Sequence, residues 1–187
     1  MFLLSSLPAM PEFLEPPKEE RALMRGVETH RVLGLLDLDR FRGVADQPKA
    51  VYARVCENIE RLVERGVMTP QQSDYADRGM IARFLESDLG KRMLSSPRVM
   101  REWAFNLRVS QPFPTIVQGV IDLCFLENGA WVLVDFKTDH VEKAADLWPR
   151  YCRQIGFYRE ALSVSTPYPV KEALLYALRL SETTDGK

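Results

Sequence analysis

Apolar positions along the chain follow two different periods. Up to about residue 94 they recur at three- and four-residue spacings, as along one face of a helix; from Val99 they alternate or run together, as in strands. Lys18 to Leu36 is expected as a first helix, with the stripe Leu23, Val27, His30 and Gly34 turned to the core and His30 therefore facing inward. Asp37 to Lys49, with Gly43, Asp46 and Pro48, reads as a loop. Val51, Val55, Ile59 and Leu62 predict a second helix stopped by Gly66. Thr69-Pro70 supplies an N-cap and a first-turn proline for a third helical region. That region carries Met80, Ile81, Phe84 and Leu85 and ends near Leu94, before Ser95, Ser96 and Pro97.

Met100 to Val109 is expected as the first strand, with Glu102, Ala104, Asn106 and Arg108 on one face and Arg101, Trp103, Phe105 and Leu107 on the other. A turn at Gln111 to Pro114 follows. The next two β-rich runs flank Asn128-Gly129, the dipeptide best suited to the two positive-φ positions of a type I′ hairpin. With that turn, Asp122 falls opposite Asp135. Gln118, Val120, Asp122, Cys124 and Leu126 share a face with Trp131, Leu133, Asp135 and Lys137. Val141 to Leu147 reads as short and irregular, Pro149 opens a helix through about Leu162, and Val170 to Leu180 reads as a strand covered on both faces. The fold class is thus α/β: a mixed β-sheet flanked by helices, with an N-terminal helical subdomain over 19–97 and an αβ core over 98–180. The Pro-rich segment 1–18 is expected as an arm, and the polar tail 181–187 is expected to fray.

Composition narrows this picture only a little. With 187 residues, 46% hydrophobic, the chain is long enough for one real core, and no apolar run reaches the roughly 20 residues of a membrane span. Cys56, Cys124 and Cys152 fit no metal-binding spacing, which points to a reducing, cytoplasmic setting and gives no support for an iron–sulfur cluster. A net charge of −1 means that any contact with nucleic acid is local. No glycine loop of the NTPase type is present.

The candidate chemistry lies in the hairpin. Two acids placed face to face repel, so something positive belongs between them: Lys137 with nearby arginines, or a divalent cation that takes carboxylate oxygens. Gln154 and Tyr158, four apart on the following helix, project from one face beside Tyr151 and Ile155. On spacing alone they read as a polar rim, and His30 alone reads as a hydrogen-bonded core histidine.

Taken together, Asp122, Asp135-Phe136-Lys137 and Gln154-x-x-x-Tyr158 resemble the signature of PD-(D/E)xK nucleases in the RecB-like form. Gly26-Val27-Glu28-Thr29-His30 is similar to the upstream histidine motif of that family, and Arg101-Glu102-Trp103-Ala104-Phe105 to its glutamate-bearing strand. The likeness is strongest to the nuclease domains of AddA-type helicase-nuclease subunits. It runs from about Glu19 to Leu180, although Trp103-Ala104 replaces the proline often found after the glutamate.

The resemblance implies a restriction-endonuclease-like fold and a Mg²⁺-dependent deoxyribonuclease, of exonuclease type, with Mn²⁺ as a possible substitute. It further implies a single-stranded DNA substrate, a helicase motor in the same polypeptide and a second, AddB-like subunit. Metal ligands would be His30, Asp122, Asp135 and the carbonyl of Phe136. Lys137 would orient or deprotonate the attacking water, Gln154 and Tyr158 would hold Lys137 or a phosphate, and Glu102 would be an outer ligand. The alternative is a catalytically silent module that grips DNA or a partner subunit.

Overall fold

The computed structural model describes residues 17–110 and 114–186; the Pro-rich segment 1–16 and the greater part of the turn expected at Gln111 to Pro114 lie outside them. Helices occupy the first half: α1 (Lys18–Leu35), α2 (Pro48–Glu64), α3 (Pro70–Tyr75), α4 (Arg78–Glu86) and α5 (Asp88–Leu94). Strands β1 (Val99–Val109), β2 (Thr115–Glu127) and β3 (Ala130–Lys137) follow, then α6 (Trp148–Ser165), β4 (Val170–Ala177) and β5 (Glu182–Thr184). The five strands form one sheet in the order β1-β2-β3-β4-β5, antiparallel except for the β3–β4 pair, which the α6 crossover makes parallel.

Each face of the sheet carries its own core. Leu123, Phe125, Val132, Val134 and Phe136 pack under the helical layer with Val32, Ile59, Ile81 and Phe84. Cys124, Trp131, Leu133 and Leu175 pack on the other face with Ile155, Tyr158 and Leu162 of α6. The strict alternation of β3 between these cores is what an eight-residue strand covered on both sides requires.

Several expectations are corrected. The expected inward stripe of α1 is not its buried face: Leu23 is 66% and Val27 51% exposed, while Gly26, Thr29, Val32 and Leu33 are buried. The helical region after Thr69 is three helices rather than one, because Asp77 and Ser87 each cap a new start by accepting the N–H of Met80 and of Gly90. The segment read as a loop after Asp37 holds a 3₁₀ turn at Leu38–Arg40. The tail does not simply fray, since Glu182–Thr184 pairs with β4.

The most consequential correction lies in β1. Its ladder with β2 keeps one register from Val99↔Phe125 to Val109↔Thr115 but skips the position of Glu102 and Asp122, where Glu102 has a φ of 48°. A left-handed residue inside a strand breaks the alternation of faces. Arg101 donates to the carbonyls of Leu33 and Leu36 at 3.2 and 2.7 Å, on the helical side, whereas Trp103, Phe105 and Leu107 all pack on the α6 side. Arg101 and Trp103 therefore do not share the face that simple alternation assigns them.

Candidate active site

The hairpin turn forms as its dipeptide dictates, with φ of 53° at Asn128 and 77° at Gly129, and Glu127↔Ala130 closing the ladder. Pairing runs back only to Leu123↔Val134. Asp122 and Asp135 are thus not a ladder pair, as expected from the register alone; the strands part there, and the Phe136 N–H donates instead to Asp122 Oδ2 at 2.8 Å. The fork turns the Asp122 carboxylate toward α1, where His30 Nδ1 lies 3.5 Å from the same oxygen.

Asp135 is 1% exposed, and Lys137 Nζ stands 2.6 Å from its Oδ2. That ion pair is close but off the line of a hydrogen bond, and Oδ2 has no aligned donor. Lys137 Nζ also donates to Gln154 Oε1 at 3.2 Å and sits 4.1 Å from the centre of the Tyr151 ring. Gln154 Nε2 in turn donates to the Tyr158 hydroxyl at 2.6 Å. Residues four apart on α6 and a residue two beyond Asp135 on β3 are so joined in one chain of contacts.

Burial pushes the pKa of Asp122 and of Asp135 upward, and for Asp135 the charge of Asp122 adds to the effect while Lys137 opposes it. Burial lowers the pKa of His30, which favours the neutral imidazole, the form able to donate a lone pair. Phe136 packs its ring edge-on against His30, Phe84 and Tyr176, which fixes the main chain between the acid and the lysine.

Glu102 is exposed, and its side chain lies against Gly34 of α1. It shares a cavity of about 650 Å³ with His30, Asp122, Leu23 and Val27, so the exposed stripe of α1 forms a wall of this cleft. Close approach of α1 depends on Gly26, where a Cβ would come within 2.6 Å of Thr138 Oγ1. A second recess, of about 720 Å³, contains none of these residues.

Among the described residues no three His, Cys, Asp or Glu side chains converge as a closed metal cage. What they form is an open set of hard donors: two carboxylates, one with an unmatched buried oxygen, and a neutral-leaning histidine. Such a set fits a divalent cation that keeps part of its water shell. Sequence reasoning missed the Lys137–Tyr151 contact and the brace behind it, in which the Tyr151 hydroxyl donates to Asp139 at 3.0 Å and Arg150 pairs with Asp139 at 2.8 Å. The signal was available, since Tyr151 precedes Gln154 by three and so shares its helix face.

Comparison with known proteins agrees with this arrangement. A family model described as the PD-(D/E)XK nuclease superfamily matches residues 2–187. The chain is 31% identical over 192 residues to the larger, A-type chain of the ATP-dependent helicase/nuclease of Clostridium acetobutylicum, covering 95% of this chain and 15% of that protein. It is 34% identical over 180 residues to the protein of the same name from Thermoanaerobacter sp. strain X514, covering 89% of this chain and 14% of the other. For the protein of that name from Clostridium botulinum strain Hall the figures are 33% over 179 residues, 89% and 13%. The chain thus spans about one seventh of the length of these relatives. A match along almost its whole length establishes the family: the chain belongs to the PD-(D/E)XK nuclease superfamily.

Proposed function

We propose that this domain hydrolyses phosphodiester bonds of DNA, single-stranded by preference and in the manner of an exonuclease, with Mg²⁺ as cofactor and Mn²⁺ as a substitute. The observation that carries the reading is the fork between β2 and β3, where Asp122, Asp135 and Lys137 meet around a buried oxygen without a donor. The relatives are named as ATP-dependent helicase/nucleases, which supports a larger setting in recombinational repair. In that setting a helicase motor in the same polypeptide delivers the strand, beside an AddB-like subunit in the cytoplasm. No described helix is long and apolar enough to cross a membrane.

Asp122, Asp135, His30 and the Phe136 carbonyl would hold the cation, which supplies charge neutralisation at the phosphoryl oxygens and a more acidic water. Lys137, steadied by Gln154 and the Tyr151 ring, orients the attacking water and offsets charge growing on the phosphorus centre. The water oxygen bonds to phosphorus, the ester P–O bond breaks, and a proton passes through solvent to the departing oxygen. Tyr158 fixes Gln154, and Glu102 holds water at the mouth of the cleft.

The test is incubation of the purified chain with end-labelled single-stranded DNA, with Mg²⁺ and with EDTA. Cleavage is expected only with metal and is abolished in Asp135→Ala and Lys137→Ala variants that keep the wild-type circular dichroism. Wild-type turnover in either variant refutes the roles. The Lys137–Asp135 ion pair, which neutralises the site without a metal, favours one other reading, a catalytically silent binding module. Calorimetric titration with Mn²⁺ separates the two, because only the nuclease should bind the ion and lose that binding with Asp135→Ala.

A further inference from the structure

The second recess lies along a different face of α1 from the one that lines the catalytic cleft. Lys18, Arg21 and Arg25 form one edge of it, while Arg78 at the start of α4 and Arg179 after β4 form the other. Five cations there face two carboxylates, Asp74 and Asp77, in a chain whose net charge is −1. Asp77 is already engaged, accepting the Met80 N–H at 2.9 Å and pairing with Arg25. Two phenol rings, Tyr52 and Tyr75, complete the lining, and Tyr52 is 48% exposed although a large aromatic side chain gains nothing from water. Cations along a groove with accessible aromatic faces are the chemistry that holds a single strand, phosphates on the charges and bases on the rings.

The recess also connects with the catalytic cleft. Arg179 Nε donates to the Thr138 carbonyl at 2.7 Å, and Thr138, the residue after Lys137, lines the cleft. Along α1, Arg25 and His30 are about 7.5 Å apart at about 1.5 Å per residue, close to the rise of about two stacked nucleotides at about 3.4 Å each. A strand lying across the catalytic fork can therefore reach the recess without leaving the surface.

We propose that this recess holds the DNA strand on one side of the scissile phosphate, its phosphates against Lys18 and Arg21 and an unstacked base on Tyr52. The proposal rests on the nuclease reading and adds to it the path of the strand. The test uses the whole chain, with Lys18→Glu and Tyr52→Ala singly and together. Binding of a fluorescein-labelled 20-residue oligothymidylate is followed by anisotropy in EDTA over a series of salt concentrations, and cleavage of the same strand is followed with Mg²⁺. Lys18→Glu should flatten the plot of log K against log salt by about 0.7, the share of one neutralised phosphate. Tyr52→Ala should weaken binding about tenfold at every salt concentration. Both should raise KM while thermal unfolding stays at the wild-type temperature. If the wild type cleaves but both variants bind and cleave as it does, the recess proposal is overturned and the nuclease reading stands. If the wild type neither binds nor cleaves, both are overturned.

Discussion

Replacing Lys137 should harm the metal-free protein more than replacing the acid it pairs with, although either change should stop cleavage. The cluster holds two carboxylates and one ammonium group, of which Asp135 and Lys137 have side chains only 2% and 13% exposed. At 2.6 Å and an effective dielectric constant of 20, the gross attraction of that pair is about 6 kcal/mol. Lys137→Ala leaves two acids without their cation, and stranding one member of a buried pair costs about 3–5 kcal/mol. Proton uptake limits the loss: both pKa values are already raised, and each pH unit between pKa and solvent costs about 1.4 kcal/mol, so about 2–3 kcal/mol remains at pH 7. Asp135→Asn keeps the shape and leaves one acid balanced by one lysine, so it should change stability by less than about 1 kcal/mol. In urea with EDTA, Lys137→Ala should lower the unfolding midpoint by about 1–2 M, and Asp135→Asn should hardly move it. Mg²⁺ should restore more stability to Lys137→Ala than to the wild type, because the ion replaces the missing charge. A wild-type midpoint for Lys137→Ala, or equal losses in the two variants, would refute this electrostatic account.

Three further outcomes follow from other parts of the molecule. Gly26→Val should cost about 1–3 kcal/mol by overpacking against Thr138, and should lower Mg²⁺-dependent cleavage more than tenfold because α1 carries His30; unchanged cleavage would mean that the approach of α1 is not needed. At the left-handed position of Glu102, Gly should be more stable than Ala by about 1–2 kcal/mol in chemical denaturation, the reverse of the order in an ordinary strand. Arg92 and Lys171 hold the Glu127 carboxyl down to about 2 from 4.5, so its contribution is full above pH 4.5 and lost as pH falls toward 2. Discounted for solvent, that contribution is about 1–2 kcal/mol, and Glu127→Gln should narrow the stability gap to the wild type as the pH is lowered through that window.

The hairpin was legible because Asn128-Gly129 leaves the backbone little choice of turn, and β3 and β4 because their apolar runs have no polar face to offer water. Through them the order Asp122, Asp135, Lys137, Gln154, Tyr158 could be placed on elements in advance. The kink at Glu102 was not legible, since nothing in a glutamate announces a positive φ; only the packing of Arg101 and Trp103 on opposite sides demands it. The orientation of α1 was misread for a physical reason: periodicity assumes that the apolar face is the buried one, and here Leu23 and Val27 border an open cleft. Asp77 and Ser87 could have been recognised as caps, but the apolar stripe continues across them and hides the breaks. Ladder geometry put Asp122 opposite Asp135 and could not foresee that the Asp122 carboxylate takes the place of a backbone partner.

The segment from Asp122 to Tyr158 contributes both acids, the lysine and its two polar supports through one hairpin and one crossover. Loops that short close early when a chain collapses, whereas His30 must be recruited across some ninety residues of sequence. Newly made protein therefore passes through a stage in which the paired carboxylates exist but are not yet walled in. Charge repulsion at that stage slows the last docking event, and dissolved magnesium would act there as a folding aid before any strand is cut.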